Sequence, residues 1–153
     1  MHPLYSKVAA YCSKAERCPK DVELWLATRD VSSQECEEIL ALLIEDRFVD
    51  EQRYIRAFTA DKLRFSQMGP QRIIFELLAK DLPEGLVHAI VQDVAQELDY
   101  RQLLKDILRK KMSSADMEHA DTRNKLIHWA YVRGFSVDDA SAAIASIIND
   151  EDQ

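Results

Sequence analysis

Residues that form tight turns are scarce in this sequence. Only three glycines and four prolines occur among its 153 residues. Because β-hairpins depend on residues that tolerate a positive φ, so few glycines argue against a chain built from many short strands. No window alternates strictly between apolar and polar residues, which is the pattern of a half-buried strand. The composition therefore favours helices.

Signals for membrane insertion and export are missing as well. The longest apolar run, residues 39–44, is far too short to span a bilayer. The first residues do not combine a charged region with a continuous apolar segment, as a signal peptide would. Cys12, Cys18 and Cys36 are odd in number and have no C-x-x-C spacing, which predicts reduced thiols. We therefore predict a cytoplasmic protein that makes no membrane contact.

No arrangement of residues that carries out catalysis is found in the sequence. The three glycines are too scattered to form a phosphate-binding loop. Neither the H-E-x-x-H pair of zinc proteases nor the G-x-S-x-G turn of serine hydrolases occurs. The four histidines are dispersed along the chain. We predict no catalytic residue, no cofactor and no metal ion, and hence a protein that is not an enzyme.

Three segments of the sequence repeat one another. They are CPKDVELWLATRDV at residues 18–31, GPQRIIFELLAKDL at 69–82 and TRNKLIHWAYVRGF at 122–135. The apolar stretch that follows each segment repeats at i, i+3, i+4, i+7, the spacing of one apolar helix face. Its members are Cys36, Ile39, Leu40 and Leu43, then Val87, Ile90, Val91 and Val94, then Ala140, Ala143, Ile144 and Ile147.

Helix boundaries recur at the same places in the repeat. Pro19 and Pro70 suit the first position of a helix, where the missing N–H has no cost. Residues that can adopt the left-handed conformation stand where each of these helices should end: Asp30, Asp81 and Gly134. Ser32 with Glu35 predicts a capping box, and Ser136 with Asp139 a weaker hydroxyl cap.

A further amphipathic helix is expected before each pair, at about residues 4–17, 51–67 and 98–112. We therefore predict an all-α protein with nine helices, arranged as three three-helix repeat units at residues 1–48, 49–96 and 97–153. A single unit can bury only one face of its helices, so neighbouring units must stack. The expected shape is an elongated, curved array.

Positive charge is concentrated in two of the units although the formal net charge is −7. Residues 52–80 carry 6 basic and 2 acidic side chains, and residues 101–133 carry 8 and 4. The segments 1–51, 81–100 and 134–153 each have a net charge of −5. The basic side chains form stripes on the predicted helices, and we predict these as binding residues: Arg53, Arg56, Lys62, Arg64, Arg72, Arg101, Lys105 and Arg109.

Two interpretations of these stripes are open. Each can be an ordinary solvated helix face, or the two can form one basic surface that meets phosphates or an acidic protein patch. Their recurrence at corresponding places in successive units favours the shared surface.

The larger aromatic residues are predicted to lie in the core rather than to stack on nucleotides: Trp25, Trp129, Tyr54, Phe58 and Phe65.

Two stretches of the sequence resemble the RecX family of bacterial recombination regulators. The first, FVDEQRYIRAFTADKLRFSQMGPQRIIFEL, matches through Asp50-Glu51, Arg53-Tyr54, Ala57-Phe58, Lys62, Arg64, Gly69-Pro70, Arg72-Ile73 and Glu76-Leu77. The second, KLIHWAYVRGFSVDDASAAI, is similar to a C-terminal family pattern through Lys125, Leu126, Trp129, Arg133, Gly134, Phe135 and Ser136. Asp81 departs from the family, which usually has glycine there.

This resemblance implies a fold, a partner and an activity. RecX proteins consist of tandem three-helix repeats and bind RecA in the helical groove of its filament on single-stranded DNA. They suppress strand exchange, ATP hydrolysis and co-protease activity, and so act in homologous recombination, DNA repair and the SOS response. The chain is then expected to be a monomeric inhibitor with weak or no DNA binding of its own. A direct nucleic-acid-binding repeat and a peptide-binding helical adaptor are the alternatives.

Overall fold

The computed structural model describes residues 2–151, with side chains to residue 150. This part of the chain forms ten α-helices and no strand: α1 (Tyr5–Lys14), α2 (Pro19–Ala27), α3 (Ser33–Glu45), α4 (Glu51–Phe65), α5 (Pro70–Leu78), α6 (Glu84–Glu97), α7 (Tyr100–Lys111), α8 (Ser114–Met117), α9 (Ala120–Val132) and α10 (Val137–Glu151). The all-α prediction is confirmed. We call α1–α3 the first unit, α4–α6 the second and α7–α10 the third.

The prediction of nine helices missed the short helix α8. The Ser113 hydroxyl accepts a hydrogen bond from the Asp116 N–H at 3.2 Å and so caps this single turn. Met117 at its end is fully buried in the core of the third unit. Four residues are too few to show a helical period, so only the packing of Met117 reveals this element.

The predicted helix boundaries are found at α2, α5 and α9, which we call the second helices of the units although the short α8 precedes α9. Pro19 and Pro70 are the first residues of α2 and α5. The residues that close the three second helices have positive φ, namely 55° at Asp30, 61° at Asp81 and 104° at Gly134. A capping box is formed by Ser32 and Glu35 at the start of α3. The conformational preferences of individual residues were therefore enough to predict where these helices begin and end.

Each unit has its own cluster of buried side chains. Val8, Leu26 and Leu43 belong to the first, and Leu104 and Ile144 to the third. The second unit packs around residues that include Ile55, Ile73, Leu77, Val87 and Val91. Cys18 is the exception, because it precedes α2 and yet is fully buried against the second unit. The unit boundaries at 48/49 and 96/97 remain a prediction.

The first two units meet through oppositely charged side chains. The start of α2 lies against the end of α5, where Lys20 Nζ is 3.0 Å from the Ala79 carbonyl oxygen and 3.3 Å from Asp81. In the reverse direction, Lys80 Nζ is 3.5 Å from an Asp21 carboxylate oxygen. These pairs are partly exposed, and therefore they will weaken as salt concentration rises.

The second and third units meet at the corresponding place, but backbone to backbone. The Gly69 N–H donates to the Arg133 carbonyl at 2.8 Å, and the Gln71 N–H donates to the Gly134 carbonyl at 3.0 Å. The Arg133 guanidinium donates in turn to the Gln67 carbonyl at 3.1 Å and to the Ser66 carbonyl. At both junctions the start of one second helix contacts the end of the second helix of the following unit. The helices α2, α5 and α9 are therefore arranged one after another.

Thr59 offers a test of packing within the second unit. It is fully buried in α4, and its hydroxyl has no hydrogen-bond partner among the described residues. Because an unsatisfied buried hydroxyl is costly, Thr59→Val should raise the free energy of unfolding by about 1 kcal/mol. Urea denaturation measures the change, with the exposed Thr28→Val as control. A loss of stability on Thr59→Val would contradict this account.

Candidate protein-binding surface

Two of the predicted binding cations on α4 form ion pairs with carboxylates of the protein itself. Arg53 Nε lies 2.8 and 2.9 Å from the two carboxylate oxygens of Glu16. Arg56 lies 2.6 Å from Asp93 and 3.6 Å from Glu97 on α6. The hydrogen bonds that Arg53 donates to Glu16 and Arg56 donates to Asp93 raise the pKa of the two guanidinium groups. Both side chains thus tie α4 to neighbouring segments.

The stripe on α7 is occupied in the same way by carboxylates of α10. Arg101 lies 3.3 Å from Asp139, and Lys105 lies 2.6 Å from Asp150. Arg109 lies 3.0 Å from the same Asp150 oxygen. The Lys105 hydrogen bond lowers the pKa of the Asp150 carboxyl. These contacts fasten the first helix of the third unit to the last.

The two stripes therefore share a structural role inside the repeat. Arg56 occupies the position in α4 that Lys105 occupies in α7, and each holds the last helix of its own unit. Lys105 adds a hydrogen bond of 2.8 Å to the Ser146 hydroxyl, which stands where Asp93 stands in the second unit. Whether a partner also contacts these residues remains a prediction.

The other three predicted cations have no carboxylate on another helix. Arg64 is exposed and has no ion-pair partner among the residues described. Lys62 lies 5.2 Å above the ring of Phe58 in its own helix. Arg72 is 3.7 Å from Glu76, one turn further along α5. Lys62, Arg64 and Arg72 are thus the cations best placed to meet a partner, and their role in binding remains a prediction.

Exposed aromatic residues accompany these cations. Tyr54 is buried, and Trp25, Phe58 and Trp129 are partly buried, in agreement with their predicted core positions. The prediction for Phe65 was wrong, because its side chain is 79% exposed at the end of α4. Leu63 faces the core, and at 100° per residue Phe65 points about 200° away from it.

Phe75 was missed by the sequence reasoning and is 74% exposed. It stands midway between Ile73 and Leu77, which are fully buried. A residue two positions away from a buried one lies about 200° around the helix axis and so points away from the core. Helical periodicity alone was therefore enough to predict that Phe75 is exposed.

Arg64, Phe65, Arg72 and Phe75 form what we call the junction patch. Phe65 is followed by Ser66, whose carbonyl accepts a hydrogen bond from Arg133. Arg72 lies beside Gly134, since a Cβ atom built on that glycine would stand 2.5 Å from the Arg72 Cβ. The end of α4 and the start of α5 thus converge on the junction with the third unit.

The described residues contain no group of three or more His, Cys, Asp or Glu side chains that could hold a metal ion. Within the same range, no helix is both long enough and apolar enough to cross a bilayer. An open cleft of about 500 Å³ lies between α5, α6 and α7, where Ile74, Gln92 and Tyr100 line it.

Comparisons with known proteins point to one family. Residues 50–89 match the model described as RecX, second three-helix domain. The chain is 24% identical to the regulatory protein RecX of Bacillus cytotoxicus over 148 residues, and 22% identical to that of Oceanobacillus iheyensis over 152. These alignments cover 97% and 99% of this chain but 55% and 56% of the relatives. The chain thus spans about half the length of the curated relatives it matches.

Solved structures share the fold. The crystal structure of RecX from Lactobacillus salivarius superimposes with a TM-score of 0.80 at 21% identity, covering 94% of this chain and 93% of that one. A second crystal structure, of a regulatory protein RecX, gives a TM-score of 0.74 at 20% identity and covers 95% and 70%. These matches confirm the resemblance to the RecX family, whose second three-helix domain is the part matched by residues 50–89.

Proposed function

We propose that this chain is a regulator of a RecA-type recombinase. In this proposal it binds the RecA filament on single-stranded DNA in the cytoplasm. It suppresses ATP hydrolysis, strand exchange and co-protease activity, and so acts on recombination, DNA repair and the SOS response. The observation that carries the proposal is the match of residues 50–89 to the RecX second three-helix domain. The chain acts by binding, as a monomer, and not as an enzyme.

The charge distribution favours a protein partner over free DNA. Affinity for DNA depends on how many phosphates are neutralised by cations of the protein. Five of the eight predicted cations already face carboxylates of this chain within 3.6 Å. The formal net charge of −7 also repels a polyanion. Independent DNA binding is therefore expected to be weak or absent.

RecA-dependent ATP hydrolysis on single-stranded DNA tests the proposal. Added at a molar ratio below that of RecA, the protein should suppress hydrolysis at low micromolar concentration, since one elongated chain can contact adjacent protomers. A parallel titration with single-stranded DNA alone should show little salt-sensitive binding. Undiminished hydrolysis would remove the proposal, while inhibition that strictly follows DNA affinity would favour a DNA-binding protein.

A further inference from the structure

The helices α2, α5 and α9 each carry exposed apolar side chains. Leu24 on α2 is 62% exposed and occupies the repeat position of Phe75 on α5, which is 74% exposed. At the end of α9, Tyr131 and Val132 are 58% and 55% exposed. Leu24 and Phe75 thus recur at one position of successive units, whereas the exposed apolar residues of α9 stand elsewhere on that helix, because His128 occupies the position of Phe75. Large apolar residues that recur in this way mark an interaction site.

The junction patch combines exposed apolar and cationic side chains from the end of α4 and from α5. Phe65, at the end of α4, adds a second exposed ring to that of Phe75 on α5. Arg64 is free of any ion pair within residues 2–150, and Arg72 has only the distant carboxylate of Glu76 at 3.7 Å. Aromatic residues and arginine are the side chains enriched at the energetic centres of protein interfaces.

Carboxylates are interspersed with these cations. Asp61 is exposed one turn before Phe65, and Glu76 directly follows Phe75. One Glu76 oxygen is buried and has no hydrogen-bond partner among the residues described. A phosphate backbone presents a continuous row of negative charge and would meet these acids as well as the arginines. Separate carboxylates on a folded partner can pair with each arginine and avoid the acids.

We infer that the junction patch docks an amphipathic acidic segment of a protein partner. Apolar side chains of that segment cover Phe65 and Phe75, and its flanking Asp or Glu side chains pair with Arg64 and Arg72. This inference rests on the proposed function, since it takes the recombinase filament as the protein that presents the segment. It goes further by assigning the contact to one junction and to apolar burial with charge pairing.

The test compares two double variants of the full chain. F65S/F75S removes the two exposed rings of the patch, and the control L42S/I44S removes side chains of α3 that are 37% and 50% exposed. Binding of amino-terminally labelled protein to preassembled RecA filaments is followed by fluorescence anisotropy. Because buried aromatic anchors dominate interface energy, F65S/F75S should weaken the Kd by about 30-fold and the control by less than about 2-fold. Thermal unfolding should show that both variants fold like the parent.

The possible outcomes separate the two proposals. If the parent binds the filament and F65S/F75S binds equally well, the docking site is overturned while the proposed function stands. If the parent does not bind the filament, both are overturned. A third arm measures single-stranded DNA alone. An equal loss of DNA affinity in F65S/F75S would make nucleic acid the occupant and would also overturn the inference.

Discussion

Gly69→Ala is expected to lower the free energy of unfolding by about 3 kcal/mol, because it forces a methyl group into the backbone of the third unit. A Cβ atom at this position would stand 2.6 Å from the Phe135 nitrogen and 2.5 Å from the Gly134 carbonyl oxygen. The hydrogen bonds that Gly69 and Gln71 donate across the junction would have to lengthen. Urea denaturation and hydrogen exchange of the Gly69 and Gln71 amides measure the loss.

Gly85→Ala is the matched control for this substitution. Gly85 lies in the first turn of α6, and a Cβ atom built on it meets nothing within 4 Å. Since alanine has a higher helix propensity than glycine, the free energy of unfolding of this variant should rise by up to about 1 kcal/mol. Similar stabilities of the two variants would mean that the close approach of Gly69 to Gly134 does not hold the units together.

The second large effect is expected from reversing the three cations that have no carboxylate partner on another helix. The triple variant Lys62→Glu, Arg64→Glu and Arg72→Glu should weaken binding to the RecA filament by about 100-fold, since each reversal replaces an attraction by a repulsion. These three residues have no carboxylate partner on another helix, so the fold should tolerate the change. The inhibition constant of ATP hydrolysis, measured at two salt concentrations, reports the effect.

Lys7→Glu, Lys14→Glu and Lys110→Glu together make the same change in net charge at exposed sites elsewhere. This control variant should lose only the general attraction to the filament, about 3-fold at low salt and less at high salt. If the two triple variants lose the same affinity, the interaction depends on net charge alone. The assignment of Lys62, Arg64 and Arg72 as contact residues would then be abandoned.

The stripes on α4 and α7 show where helical periodicity stops being informative. The spacing of Arg101, Lys105 and Arg109 correctly predicts that they share one helix face. It does not reveal that Asp139 and Asp150 of α10 lie opposite them, because that pairing depends on how α7 crosses α10. Charge counted along the sequence therefore overstated the positive surface available to a partner.

The exposure of two aromatic residues was not predicted, for a different reason. Phe65 was assigned to the core by residue type, although its angular position relative to Leu63 places it outside. Phe75 was overlooked because most of the residues around it in α5 are apolar, namely Ile73, Ile74, Leu77 and Leu78. The angular position of a residue on its helix was the better guide in both cases. Burial depends on which face of the helix the residue lies on, and not on the residue type alone.

The sequence by itself determined the all-α class, the three repeated units and the ends of their second helices. These features depend on interactions within a few residues, such as the first-turn prolines and the left-handed residues Asp30, Asp81 and Gly134. The tertiary structure alone decided which cations pair with carboxylates of another helix and how the units join. Those outcomes depend on contacts between residues 37 to 67 positions apart, and only the packing of whole helices brings such residues together.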